Sequence, residues 1–68
     1  MELIFKQRLK DEIKNSGMNT VQIAKLVGVS PEMITQYYTT KKLPRLDTFE
    51  ALCRVLGVSA DYLLGLED

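Results

Sequence analysis

Apolar residues recur at helical spacing along the chain, in separate runs divided by glycine, serine and proline. Phe5, Leu9 and Ile13 step by four along one face of a first helix over residues 3–15, with Lys6, Arg8, Lys10, Asp11, Glu12 and Lys14 around the rest. Glu2–Lys6 is a favourable i,i+4 pair there and Lys10–Lys14 a mildly repulsive one. Asn15-Ser16-Gly17 closes this helix, with Gly17 as its cap. Ile23, Ala24 and Val27 share one face of a second helix, which Asn19 or Thr20 can cap and which stops at Gly28. Val29 falls in the turn. Ser30-Pro31 then starts a third helix: the serine oxygen takes an unpaired N–H, and proline fits the first helical position. Ile34 and Tyr37, three apart, face inward on this helix, which runs to about Thr39.

After a loop, Thr40 to Pro44, a fourth helix runs from about Leu46 to Leu56. Leu46, Phe49, Leu52, Cys53 and Leu56 make a buried stripe on it. Gly57 caps it and Val58 bridges. Ser59 opens a last short helix, Ala60 to Leu64, whose Leu63 plugs the core. Gly65 ends that helix, and Leu66-Glu67-Asp68 is expected to fray. No repeats, low-complexity runs or internal linkers are expected. The result is an all-α prediction: one domain, residues 1–68, a compact bundle of about five short helices organised around a corner at about residues 20–39.

The pattern resembles the helix-turn-helix of the phage-repressor family (Cro/repressor-like, XRE-type). The residues that carry the resemblance are Ala24, Gly28-Val29-Ser30, Ile34, Pro44, Leu46 and Leu56-Gly57-Val58-Ser59, and it covers nearly the whole chain. It implies a lambda-repressor-like DNA-binding domain. The function it implies is that of a sequence-specific double-stranded DNA-binding transcriptional regulator, a repressor of prophage or mobile-element type. Ser30, Pro31, Glu32, Met33, Thr35 and Gln36 match positions that line the major groove in that family. Gln36 is the strongest reader, because its amide can pair with adenine N6 and N7 together. Glu32 can accept from cytosine N4 or simply stabilise the helix start, and Thr35 or Met33 can touch a thymine methyl. Asn19, Thr20, Thr39, Lys41, Lys42 and Arg45 are the candidate phosphate contacts, those at the second helix through its free N–H groups.

The sequence also departs from the family. Thr20 stands where glutamine is common, Thr40 where glycine is common, and Leu43 where asparagine is common. An arginine and a glutamate that often form an internal ion pair are replaced by Ile13 and Tyr38, a double apolar replacement that strands no charge and predicts that the two pack near each other.

Composition narrows the alternatives. Sixty-eight residues form one domain with a core too small for a large catalytic cleft, at 46% hydrophobic and 26% charged. One cysteine and no histidine leave no material for a disulfide, a zinc site or a histidine-based catalytic pair. Cys53 reads as a small core residue of a reduced, cytoplasmic protein. Glu32 and Asp47 alone make no acid–base pair, so no enzyme, metal, cofactor or small-molecule ligand is implied. No apolar run marks a membrane span, and Met1-Glu2-Leu3 lacks a basic signal-peptide lead.

Net charge is zero, which is unusual for a nucleic-acid binder. Its distribution is not even. Residues 19–45 hold Lys25, Lys41, Lys42 and Arg45 against Glu32 alone, a net +3, whereas residues 46–68 come to −4 and residues 1–18 to +1. Over a screening length of about 8 Å the local patch governs. Zero net charge and Glu32 also motivate a competing reading, the same fold used as a protein–protein module: an antitoxin partner, adaptor or antirepressor. Tyr37 and Tyr38 form a stacking pair in principle, but Tyr37 is assigned to the core. Tyr62, Leu64 and Leu66, with Val21 and Leu26, are the candidate surface for a homodimer, which a domain reading few base pairs needs for affinity and specificity.

Overall fold

The computed structural model describes residues 2–68; the side chain of Glu2 lies outside the described set, and with it the expected Glu2–Lys6 pair. Five helices succeed one another: α1 (Glu2–Asn15), α2 (Thr20–Val27), α3 (Pro31–Thr39), α4 (Leu46–Leu56) and α5 (Ala60–Leu64). No strand occurs among the described residues. α2 packs on α3 and α4, while α1 lies across α3 and α5.

The core is built from the predicted stripes. Phe5, Leu9, Ile13, Ile23, Ala24, Ile34, Tyr37, Leu52 and Leu63 are buried, and Tyr38, Phe49, Cys53 and Leu56 pack half-buried against them. Ile13 and Tyr38 thus both join the apolar interior. Burial and the charge of Glu50 push the Cys53 thiol up from its ordinary value, so it stays a neutral core group.

The expectation of no repeat needs one correction. The tripeptide Gly-Val-Ser occurs at 28–30 and again at 57–59, and it builds the same turn twice. Gly28 and Gly57 adopt φ +90° and +69°, where a Cβ is unfavourable. The amides of Val29 and Val58 reach back to Ala24 O and Cys53 O at 3.1 and 3.0 Å. Ser30 and Ser59 then accept from the N–H groups of Met33 and Tyr62, satisfying a donor at each new helix start.

Two further expectations fail. Leu46 is 86% exposed and does not belong to the α4 stripe. It sits at the first helical position, beyond the end of the core that Phe49 caps, and lines a shallow apolar groove with Leu43, Pro44, Phe5, Phe49 and Leu64. The tail does not fray at Leu66 and Glu67. Leu66 N donates to Asp61 O at 2.8 Å, and Arg8 Nη1 donates to Tyr62 O at 2.5 Å and Glu67 O at 2.7 Å while its guanidinium lies 4.4 Å over the Tyr62 ring. The Ser59 hydroxyl also donates to the Glu67 carboxylate.

Candidate nucleic-acid interface

The orientation of α3 is set by two buried side chains. Ile34 and Tyr37 point into the core at 0% and 2% exposure. At about 100° of rotation per residue, Glu32, Thr35, Gln36 and Thr39 fall within an arc of about 100° on the opposite side. All four are exposed, as is Ser30, and Pro31 is half-buried at the helix start. Met33 sits elsewhere: it is half-buried against the core, on the flank of α3 beside Val27 and Val29.

Hydrogen bonding within α3 alters what the threonines can do. Thr35 Oγ1 donates to Pro31 O at 3.3 Å and Thr39 Oγ1 to Thr35 O at 2.8 Å. A hydroxyl has one proton, so these side chains present a methyl group and oxygen lone pairs outward. Thr35 keeps its expected apolar contact surface and can accept from a base amino group. Thr39 must exchange its helix bond to donate to a phosphate. Gln36 has no such internal partner among the described residues, so both ends of its amide remain available.

The cations cluster at the far end of α3. Lys41, Lys42 and Arg45 are exposed. Lys42 and Arg45 line the same concave cleft as Gly28, Val29 and Met33, so the loop after α3 and the turn before it face one hollow. Acidic side chains also line it, but each faces a cation. Asp47 lies 3.7 Å from Arg45 with both side chains largely exposed, a weak pair that leaves other guanidinium N–H groups available. Glu50 accepts from Arg54 Nε at 3.1 Å and from its Nη2, and the contact raises the Arg54 pKa further.

The start of α2 supplies a feature that the sequence carries in the spacing Asn19-x-x-Gln22. Asn19 Oδ1 accepts from Gln22 N at 2.8 Å, and Gln22 Oε1 accepts from Asn19 N at 3.0 Å, a reciprocal capping box. Of the two expected caps, Asn19 is the one used. Both carbonyl oxygens are engaged, which leaves two neutral amide NH2 groups at the helix start, beside the half-buried Thr20. Gln22 therefore joins Asn19 as a candidate phosphate donor, where a glutamate closing the same box would repel one.

The sequence is similar to known sequences. The Helix-turn-helix family profile fits residues 9–63. The chain is 34% identical over 65 residues to YobD, an uncharacterized HTH-type transcriptional regulator of Bacillus subtilis (strain 168), covering 96% of this chain and 58% of the relative. It is 32% identical over 68 residues to the 26 kDa repressor protein of Escherichia phage HK022, covering 94% of this chain and 29% of that protein. The chain thus spans less than two thirds of either relative's length. No solved structure is a significant match.

Proposed function

The chain belongs to the XRE-type helix-turn-helix family, and from that premise we propose that it is a transcriptional regulator that binds double-stranded DNA in a sequence-specific way. The observation that carries the proposal is the outward polar edge of α3, flanked by the cationic loop at 41–45. In this reading α3 lies in the major groove. Gln36 reads adenine, Thr35 contacts a thymine methyl, and Ser30 and Pro31 meet base edges at the helix start, which the Glu32 carboxylate stabilises. Met33, half-buried on the flank of α3, lies beside the reading edge and is not assigned a base. Asn19 and Thr20 hold one phosphate strand, with Thr39, Lys41, Lys42 and Arg45 holding the other.

The chain acts as a repressor in the cytoplasm, covering an operator as a homodimer on two half-sites about one helical turn apart. Selection of duplexes from a random pool, then titration at two salt concentrations, tests the reading. Saturable, sequence-preferring and salt-sensitive binding is expected. Gln36→Ala should weaken specific binding by about 1–3 kcal/mol and leave non-specific binding nearly unchanged. Equal loss on every sequence removes Gln36 as a reader, and absence of binding at low salt removes the function.

A further inference from the structure

Three helices end on a glycine with positive φ, Gly28, Gly57 and Gly65, and a fourth such glycine, Gly17, follows α1 one residue later. After α2, α4 and α5 the next residue turns its N–H back to the helix, from Val29, Val58 and Leu66. α3 ends differently. Thr40 is extended, at φ −126° and ψ −176°. Its own N–H reaches Gln36 O at 3.1 Å, but no backbone N–H beyond it returns to α3 among the described residues. The amide of Lys42 instead donates to Thr40 Oγ1 at 3.1 Å. The Thr40 hydroxyl also donates to Gln36 O at 2.7 Å, which leaves Tyr37 O as the first carbonyl at this end without a backbone donor.

Lys6 of α1 supplies a donor there. Its Nζ donates to Tyr37 O at 2.9 Å and to Lys42 O at 2.8 Å. One ammonium thereby caps the last turn of α3, at the end where a cation is favoured by the helix dipole, and ties down the loop that leaves it. Leu43 and Pro44 hold the same loop from the other side, over Phe5 and Phe49. We propose that Lys6 is a positioning residue for phosphate binding: its ammonium, held between two carbonyls, sets the course of residues 40–45 so that Lys42 meets the DNA backbone, without touching DNA itself. This inference rests on the proposed DNA-binding function.

The test is the salt dependence of binding to a mixed-sequence duplex, measured for the wild-type chain, Lys6→Gln, Lys42→Gln, the double variant and Lys6→Arg, with each fold checked by circular dichroism. Lys42→Gln should remove one phosphate contact and lower the slope of log K against log salt by about 0.9. Lys6→Gln should do the same, so that its affinity falls about three- to fourfold less than wild type between 50 and 200 mM salt. The double variant should resemble either single one, and Lys6→Arg should stay near wild type. A folded Lys6→Gln with the wild-type slope and affinity overturns the proposal, as does a double variant whose slope change is the sum of the two. Should Lys6→Gln fail to fold, the wild-type complex decides by nuclear magnetic resonance. The Lys6 ammonium should keep scalar coupling to the carbonyl carbons of Tyr37 and Lys42; coupling to phosphorus overturns the proposal. If the wild-type chain leaves duplex unbound at low salt, the DNA-binding reading falls and this one with it. If it binds and only the Lys6 results fail, the DNA-binding reading stands alone.

Discussion

The turn between α2 and α3 and the turn between α4 and α5 are built alike, yet they lead to surfaces of opposite kind. Both run Gly-Val-Ser, both carry a fully buried residue before the turn (Ile23, Leu52) and after it (Ile34, Leu63), and both place an acid in the next helix's first turn (Glu32, Asp61). After the first turn comes a nine-residue helix with an exposed polar edge and then a cationic loop. After the second comes a five-residue helix and an acidic tail held by Arg8 and Ser59. The Gly-Val-Ser turn is therefore a local device that this chain uses twice. In the proposed reading, the capacity to meet a nucleic acid resides downstream of the corner, in helix length, outward side chains and local charge. The pairing of Glu32 with Asp61 also bears on the role of Glu32. A carboxylate in the same place on a helix with no groove to read argues that both stabilise the helix start.

The strongest check on this likeness is in the core. Ile34→Ala and Leu63→Ala should each cost about 2–5 kcal/mol, since both side chains are fully buried. Urea midpoints measure it, and a small loss at either site would mean that the two corners are not packed alike. The glycines rank second. Gly28→Ala and Gly57→Ala should each cost about 1–2 kcal/mol from backbone strain alone. An added Cβ meets nothing within 4 Å at either site, so unequal costs would reveal a difference in the turns themselves. Ser30→Ala and Ser59→Ala should cost about 1 kcal/mol, with more at Ser59, which also donates to Glu67. The smallest effect separates the two acids by function. Glu32→Gln and Asp61→Asn should each lose about 0.3–1 kcal/mol of stability. Only Glu32→Gln should tighten duplex binding, uniformly across sequences. A changed base preference instead would restore Glu32 as a reader.

Much of the fold was legible because helix faces, caps and αL glycines are local features. Phe5, Leu9 and Ile13 lie where their spacing puts them, and Ser30, Gly28 and Ser59 do what their positions require. Leu46 was misplaced because periodicity reports an angle about the helix axis, not how far along that axis the core extends. The Asn19–Gln22 box was open to reading from its spacing alone. The hydroxyls of Thr35 and Thr39 were not, since a side chain's choice between helix carbonyl and ligand depends on geometry. Arg8 and Lys6 looked like ordinary surface cations because their acceptors are backbone carbonyls more than thirty residues away in sequence.

Residue order by itself determined five helices, the corner at 20–39 and the outward edge of α3, because these depend on interactions a few residues apart. Tertiary structure alone decided how α3 ends, which cations remain free, and that the tail is fastened. Those outcomes depend on long side chains reaching carbonyls on distant elements, whose positions exist only once the helices have packed.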